Sequence, residues 1–314
     1  MESILVTGGA GNVGSALVRA LVRRPDTQVV VADNLLTGSV EKIRLDAPNL
    51  TFIKCDANDY DDIAPLFNRF RFTHVFHFAA VVGVQRTLEN PLLVLGDIAG
   101  FENVLQLCKN TGVQRVYFSS SSEVYGEPVE IPQNEESTPL NARLPYAVVK
   151  NLGEVYMRTY QREYRLPYTI FRFFNTYGPR QSEDFVLPRF VRAALDGKPL
   201  RVYGDGAQTR TFCYVDDTVD TCVAIHEKGV CTNDVINIGS DHEMSILDLA
   251  RTVIRVVGSE SKIEFLPPLT EGDMKRRCPD NSKMRQILGR NLVPLEEGIR
   301  RLVEHFASEK PERA

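Results

Sequence analysis

The 314-residue chain contains no tryptophan, only five histidines, and no C-x-x-C pair among its six cysteines. The histidines lack any spacing typical of a metal site, so we expect no bound metal. The thiols are expected to be free, as in a reducing cytoplasm. The net charge of −4 comes from 37 basic and 41 acidic residues of interspersed sign. This balance argues against a nucleic-acid partner.

Long apolar runs also look scarce. We expect no stretch to reach the ~20 residues that a membrane-spanning helix needs. An apolar strand begins at Ile4, which leaves no room for a signal peptide before it. We therefore expect a cytoplasmic protein without a membrane partner. The 43% of apolar residues suffice for the core of one large domain or two modest ones.

Strand-like and helix-like segments alternate through the first half of the chain. Predicted strands cover residues 4–7, 28–32, 50–54, 74–78, 116–119 and 169–173, and predicted helices cover 15–23, 40–45, 60–67, 92–109 and 146–163. Such alternation predicts a parallel sheet with right-handed crossovers and helices on both faces. The fold class is therefore α/β, with a Rossmann-type doubly wound sheet.

The pattern changes after about Gly178, where prolines, turns and short segments replace the regular alternation. Residues 235–238 form a buried-type strand that we expect to return to the main sheet. We predict a nucleotide-binding domain at 1–178, to which 211–240 returns. Residues 179–210 and 241–314 would form a smaller, chain-discontinuous α/β lobe for the substrate.

A glycine-rich turn follows the first predicted strand, with Gly8, Gly11 and Gly14 leading into a helix. Glycines here let backbone N–H groups approach a pyrophosphate, and the helix N-terminus adds partial positive charge. The second strand ends at Asp33, about 20 residues later, where a carboxylate binds a ribose hydroxyl. Together these features predict a dinucleotide site.

A tyrosine and a lysine four residues apart, Tyr146 and Lys150, share one face of a predicted helix. We expect the ammonium to lower the pKa of the phenol, which makes Tyr146 a usable general base. The strand before them ends in the serine run 119–122. Hydroxyls at the carboxyl edge of a parallel sheet lie where such folds bind ligands. The three motifs together favour a catalytic site.

These motifs, in this order, resemble those of extended short-chain dehydrogenase/reductases that act on nucleotide sugars as NAD-dependent epimerases, dehydratases or decarboxylases. The resemblance extends from Ile4 to about Leu302. It rests on residues 7–14, 33–34, 55–56, 77–80, 119–126, 146–150, 172–180 and 203–210. It implies a homodimer that pairs through the helices at 92–109 and 146–163.

The resemblance implies a tightly bound NAD. Asp33 would accept hydrogen bonds from the adenosine ribose, and its charge would disfavour NADP. The other implied cofactor contacts are Gly8, Gly11, Asn12, Val13, Gly14, Asn34, Asp56, Ala57, Phe78, Ala79, Ala80, Tyr146 and Lys150. Many relatives carry an asparagine where Asp97 or Ile98 stands here, so we expect a different network on the nicotinamide side.

The resemblance also implies the reaction. Tyr146 would take the proton of the C4 hydroxyl of a nucleotide-linked hexose, Lys150 would hold the nicotinamide ribose, and Ser121 would share the same proton. The implied substrate contacts are Ser121, Ser122, Asn175, Leu187, Arg189, Arg201, Tyr203, Arg210 and Arg277. Among these, Asn175 and Arg210 would bind the diphosphate and Tyr203 would stack on the base, most plausibly uracil.

The subtype depends on Glu123. If the segment is extended, Glu123 faces the same side as Ser121. A glutamate here resembles 4,6-dehydratases and UDP-glucuronate decarboxylases more than plain 4-epimerases. Ser122 stands where dehydratases of thymidine-linked sugars have an acid, although guanosine-linked dehydratases tolerate serine. A 4,6-dehydratase is therefore less favoured, but it stays an alternative.

The tract 275–280 resembles the R-x-P-D tract of UDP-glucuronate decarboxylases, and a cation there would bind a diphosphate or a sugar carboxylate. Within this tract, Arg276 fits that role or a surface position equally well. By contrast, residues 79–86 and 98–101 resemble UDP-glucuronate 4-epimerases. We predict a UDP-glucuronate decarboxylase, with a UDP-glucose, UDP-glucuronate or UDP-N-acetylglucosamine 4-epimerase as the alternative and a 4,6-dehydratase third. A non-catalytic NAD sensor is the rival class, but such proteins often lose the Tyr–Lys pair.

Overall fold

The fold is taken from a computed structural model that describes residues 2–44, 46–268 and 276–308. The strands are β1 (Glu2–Thr7), β2 (Thr27–Asp33), β3 (Leu50–Lys54), β4 (His74–His77), β5 (Arg115–Ser121), β6 (Tyr168–Phe173), β7 (Thr176–Tyr177), β8 (Leu200–Tyr203), β9 (Thr209–Thr211), β10 (Cys213–Tyr214), β11 (Asp234–Ile238), β12 (Glu243–Ser245) and β13 (Ile263–Leu266). The helices are α1 (Asn12–Leu21), α2 (Tyr60–Phe70), α3 (Val84–Glu89), α4 (Pro91–Thr111), α5 (Pro145–Tyr164), α6 (Val186–Leu195), α7 (Val215–Lys228), α8 (Ile246–Val257), α9 (Ser282–Leu288) and α10 (Leu295–Ser308).

The central sheet has seven strands in the order β11-β6-β5-β4-β1-β2-β3, and all its pairs are parallel. The order reverses between β1 and β4. Ligands of such sheets bind outside the carboxyl ends of the strands at this switch point. The predicted Rossmann-type doubly wound fold is therefore confirmed.

Two apolar cores cover the two faces of this sheet, because alternate strand residues point to opposite sides. One core joins Phe76 and Tyr117, whose rings stack 4.2 Å apart, to α1 and α7. The other joins Phe101 and Phe118 to α2, α4 and α5. Helices on both faces bury the sheet and leave its carboxyl edge open to a ligand.

The rest of the chain forms three small two-stranded sheets, β7 with β10, β8 with β13 and β9 with β12. Strand β11 pairs with β6 in the central sheet, Val235 opposite Ile170 and Ile238 opposite Phe173. The boundaries predicted for the two domains stay predictions. Residues 45, 269–275 and 309–314 of the predicted segments lie outside the described residues.

Local predictions near the first crossovers need correction. The segment predicted as a helix at 40–45 is a short 3-10 helix at Val40–Ile43. Helix α3 was not predicted, because Gly83 and Asn90 enclose only six helical residues. So short a segment shows little periodicity in the sequence.

Helix α4 also differs from expectation. Over 21 residues it is long and apolar enough to cross a bilayer by length and composition, contrary to the prediction from apolar runs. In the fold it packs against α2 and α5, and 44% of its most apolar window is buried. A core helix passes the same test, so this composition is weak support for a membrane span.

Three residues meet at the amino edge of the sheet, opposite the ligand edge. Glu2 Oε1 lies 2.9 Å from Nδ1 of His74 and 3.1 Å from Nε2 of His226, and Tyr117 hydrogen-bonds the other nitrogen of His226. The three potential metal ligands of this group lie within 4.8 Å of one another. Arg24 also pairs with Glu2, at 3.2 Å. Hydrogen bonds and this ion pair account for the arrangement.

We expect acid pH to destabilise the fold, because two of its histidine side chains are buried. Burial lowers the pKa of His74 from 6.5 to about 4, and that of His77 to about 3. Below the ordinary pKa the unfolded chain takes up protons that the folded imidazoles do not, so stability falls as pH falls. We expect the free energy of unfolding to drop between about pH 7 and about pH 5, and His77→Gln to reduce that drop. Urea titrations of the wild type and of His77→Gln at several pH values check this. An equal drop in the free energy of unfolding for the two proteins would contradict it.

Candidate active site

A cavity of about 370 Å³ opens at the carboxyl edge, where the strand order reverses. Its volume falls in the range of small-molecule sites. Most residues predicted from the sequence line it: Gly8, Gly11, Asn12, Val13, Gly14, Asp33, Asn34, Asp56, Ala57, Phe78, Ala79, Ala80, Ser121, Ser122, Glu123, Tyr146, Lys150, Asn175, Leu187 and Arg277. The fold thus brings both predicted halves of the site into one cavity.

The glycine turn fits a pyrophosphate. Gly8 has a φ of +68°, which favours glycine, and a Cβ on it would lie 2.6 Å from the backbone nitrogen of Ala79. A Cβ on Gly14 would collide with the carbonyl of Gly8. Helix α1 begins after Gly11, and no side chain caps it. Its first N–H groups are therefore available to an anion in the cavity.

Asp33 lies in the same part of the cavity as the glycine turn. Its carboxylate accepts hydrogen bonds from the backbone N–H groups of Ala10, at 2.9 Å, and Leu35, at 2.8 Å. Each carboxylate oxygen has a further lone pair for a ribose hydroxyl. Nearby, Asn34 donates to Asp56 at 3.1 Å. Glycine turn, uncapped helix and carboxylate together fit NAD.

The Tyr146–Lys150 pair lies in the first two turns of α5, as predicted, but its electrostatics differ from the prediction. The Nζ atom of Lys150 is 5.8 Å from the ring centroid of Tyr146. It donates instead to the backbone oxygen of Ser119 at 2.7 Å. Burial lowers the pKa of Lys150 to about 8, and Asp97 opposes that shift.

Burial raises the pKa of Tyr146 well above 10, and the negative charge of Glu123 raises it further. Hydrogen bonding to Ser121 opposes the rise in part. The predicted lowering of this pKa toward neutrality is therefore not found, because burial of the phenol and the charge of Glu123 raise it. Tyr146 is a strong base once ionised.

Ser121 and Glu123 reach the cavity in a way that the sequence did not predict. Strand β5 ends at Ser121, and residues Ser122–Tyr125 form a 3-10 helix instead of an extended segment. The Ser121 hydroxyl caps this helix by accepting from the backbone N–H of Glu123 at 3.2 Å. The 3-10 helix, and not strand alternation, places Glu123 near Tyr146, whereas Ser121 is the last residue of the strand.

The neighbouring arginines Arg276 and Arg277 lie in different environments. Arg276 lies at the surface in a two-bond ion pair with Glu243, at 2.9 and 2.7 Å. Arg277 is buried, lines the cavity, and has Nη1 3.7 Å from Oε1 of Glu123. Of the two arginines, Arg277 is the one that lines the cavity, and its contact with a substrate stays a prediction.

Asn175 lines the same side of the cavity with φ of +27°. Its buried Nδ2 has no hydrogen-bond partner among the described residues. A buried donor without a partner is costly, and a ligand oxygen would satisfy it. This supports the predicted contact with a phosphate oxygen.

Four predicted substrate residues are not among those that line the cavity: Arg189, Arg201, Tyr203 and Arg210. Arg201 is exposed and pairs with Glu264 at 3.2 Å, because β8 borders β13. The Arg189 guanidinium lies 5.9 Å from the Tyr203 ring, and Arg210 donates to the backbone oxygen of Thr209 at 2.7 Å. Their contacts with substrate stay predictions.

A buried ion pair behind the serine run was missed. Arg172 donates to both carboxylate oxygens of Glu154 at 2.8 Å, and Ser120 donates to the same carboxylate at 2.7 Å. Glu154 lies one turn beyond Lys150, so the pair fixes α5 against β5 and β6. Arg172, a charged residue inside the mainly apolar strand β6, was the available signal.

Fold and cavity define a dinucleotide-dependent enzyme of the short-chain dehydrogenase/reductase type. The profile of the NAD dependent epimerase/dehydratase family matches residues 4–239, and the chain belongs to that family. This confirms the family predicted from the motifs.

Individual relatives narrow the comparison. The chain is 36% identical to a UDP-N-acetyl-alpha-D-glucosaminuronate decarboxylase from Bacillus cytotoxicus, over 96% of this chain and 97% of the relative. It is 36% identical to UDP-glucuronic acid decarboxylase 6 of Arabidopsis thaliana, over 96% and 88%. The structure of UDP-glucose 4-epimerase from Thermotoga maritima superposes with a TM-score of 0.90 at 33% identity, covering 97% of this chain and 98% of that one.

Proposed function

We propose that this enzyme oxidises C4 of a UDP-linked hexuronate and then decarboxylates the 4-keto sugar. The observation that carries the proposal is the buried Arg277 guanidinium, 3.7 Å from Glu123 and in the same cavity as Tyr146. A guanidinium binds a carboxylate through two parallel hydrogen bonds. Its place beside the base suits a substrate with a carboxylate one carbon from the reacting alcohol.

The residues then have separate tasks. Tyr146 takes the proton of the C4 hydroxyl, Ser121 holds the phenol oxygen, and the Lys150 ammonium favours the ionised phenol. NAD, when bound, supplies the acceptor for the C4 hydride and later returns it. The 4-keto acid loses CO₂ because the electron pair of the broken carbon–carbon bond moves onto the C4 oxygen as an enolate. Once CO₂ has left, Glu123 takes up a proton from solvent and passes it to C5, and Tyr146 returns its own proton to the C4 oxygen.

The decarboxylases among the relatives support this subtype over its alternatives. The 4-epimerase stays second, because the Thermotoga structure shares the fold and a C4 inversion would use the same base. A 4,6-dehydratase is third, since Ser122 is a poor acid for a departing hydroxyl.

The test is incubation with UDP-glucuronate, UDP-N-acetylglucosaminuronate, UDP-glucose, UDP-N-acetylglucosamine and dTDP-glucose, followed by product mass and captured CO₂. We expect CO₂ release only from the two nucleotide-linked uronates. A product of unchanged mass with inverted C4 would make the protein an epimerase, and loss of water would make it a dehydratase.

Asp33 supports a preference for NAD over NADP. The carboxylate repels a 2′-phosphate and binds a free ribose hydroxyl. We expect calorimetry to give tighter binding of NAD, and Asp33→Asn to weaken it by roughly 10-fold, as for loss of a charged hydrogen bond. Equal affinity of the wild type for both cofactors would place the carboxylate elsewhere.

We propose that the protein is a homodimer that pairs through α4 and α5. The two helices pack together and leave apolar side chains exposed, among them Leu92 (82% exposed), Leu95, Val148 and Val155. A second copy would cover this face as a four-helix bundle. The same covering explains why α4 is apolar around its circumference.

Light scattering at micromolar concentration is expected to give a dimer mass. Leu95→Glu with Val155→Lys should yield monomers, whereas Val129→Glu, at an exposed apolar residue elsewhere, should not. A monomeric wild type would refute the proposal.

A cytoplasmic location also stays a proposal, supported by six free cysteines.

A further inference from the structure

A buried carboxylate in the cavity has no task in the reaction described above. Asp97 lies in α4, lines the cavity and is 6% exposed. Its Oδ2 accepts from the backbone N–H of Val81 at 2.9 Å, and its Oδ1 accepts from Asn58 at 3.5 Å. An isolated buried charge is costly unless another charge compensates it.

That other charge is Lys150. This ammonium is 2% exposed, and it donates to the backbone and hydroxyl oxygen atoms of Ser119, at 2.7 and 3.4 Å, which are both neutral. Asp97 is the acid whose field opposes the effect of burial on Lys150, and Lys150 in turn stabilises the charged form of Asp97. The two groups compensate each other through space.

We propose that Asp97 is a positioning residue with two functions: its charge keeps Lys150 protonated, and its hydrogen bond holds the segment 79–83 at Val81. This rests on the proposed role of Tyr146 as the base. Residues Ala79, Ala80 and Val81 line the cavity between the glycine turn and the catalytic pair. The hydrogen bond from Val81 to Asp97 on α4 fixes this segment, and with it the distance between the glycine turn and the Tyr146–Lys150 pair.

The other charged or titratable groups near the pair are few among the described residues. On β4, His77 is buried and its low pKa leaves it neutral, partly because of Lys150. Tyr146 faces Glu123, Arg277 and Asp97, and both carboxylates raise its pKa. Removing the charge of Asp97 therefore lowers the pKa of the base and of the lysine together.

An amide at this position separates the two functions. Asp97→Asn keeps an oxygen for the N–H of Val81 but removes the charge. Both limbs of the rate profile depend on the ionisation of Tyr146 and Lys150, so both limbs should move to lower pH. We expect a shift of about one pH unit, the lower end of what a nearby opposite charge produces.

Two measurements test this. In the active enzyme, the pH dependence of reduced-nicotinamide formation after mixing with UDP-glucuronate is compared between wild type and Asp97→Asn. In the protein without substrate, thermal unfolding of both is followed from about pH 7 to about pH 10. The stabilisation that Asp97 gives should be present while Lys150 is charged and vanish above its pKa of about 8.

Asp61→Asn is the matched control, because it removes an exposed carboxylate from α2, away from the cavity. Its stability difference from wild type should not vary over that range. Asn58→Ala, which removes a neutral contact of Asp97 and keeps the charge, should leave the pH profile in place. If Asp97→Asn fails to fold, Asn58→Ala still tests the proposal: a profile shifted as expected for loss of charge would overturn it.

An unshifted rate profile together with a pH-independent stability difference for Asp97→Asn would also overturn the proposal. The unfolding measurement needs no substrate. A failure to turn over any uronate would therefore refute the proposed function and leave the pairing of Asp97 with Lys150 separately measurable.

Discussion

Tyr146→Phe is expected to lower turnover by roughly 10²–10⁴-fold, the usual contribution of a positioned general base. The phenol oxygen is the proton acceptor at C4, and its buried position makes it strongly basic. Phenylalanine keeps the ring that packs in the second core cluster, so the fold should survive. Steady-state rates with UDP-glucuronate and calorimetric binding of NAD check both halves of this expectation.

The affinity for NAD should change little, because the glycine turn and Asp33 are untouched. Tyr164→Phe, at an exposed position of the same helix, is the matched control and should keep full activity. Near-normal turnover in Tyr146→Phe would remove the catalytic role from Tyr146.

Glu123→Gln is expected to slow overall turnover by roughly 10²–10⁴-fold while oxidation at C4 survives. The amide cannot deliver a proton to C5, so the reaction stops at the enolate that remains once the oxidised sugar has lost CO₂. Loss of the Glu123 charge also lowers the pKa of Tyr146, which eases the first proton transfer. Reduced nicotinamide should therefore accumulate, visible in its ultraviolet absorbance after mixing with UDP-glucuronate.

Glu127→Gln, at an exposed glutamate four residues further on, should behave as wild type. A fully active Glu123→Gln enzyme that interconverts C4 epimers would make this protein an epimerase. Accumulation together with CO₂ release, by contrast, is the result that decarboxylation predicts.

Local patterns in the sequence were enough for the fold class and for much of the site. The glycine turn, Asp33 and the Tyr146–Lys150 pair are each carried by residues within one crossover, where spacing and backbone chemistry act over short range. Parallel topology then brings the carboxyl ends of the strands together. For this reason most predicted cofactor residues line one cavity.

Other features depend on contacts between distant parts of the chain. The sequence by itself determined a Rossmann-type enzyme with a tyrosine base, an adjacent lysine and a glutamate of uncertain orientation. Only the tertiary structure separated Arg276 from Arg277, since their places depend on Glu243 and Glu123. It also reversed the expected pKa shift of Tyr146 and placed Asp97 in the cavity that Lys150 lines. The physical reason is that burial and long-range charge set these energies, and neither is visible in residue spacing.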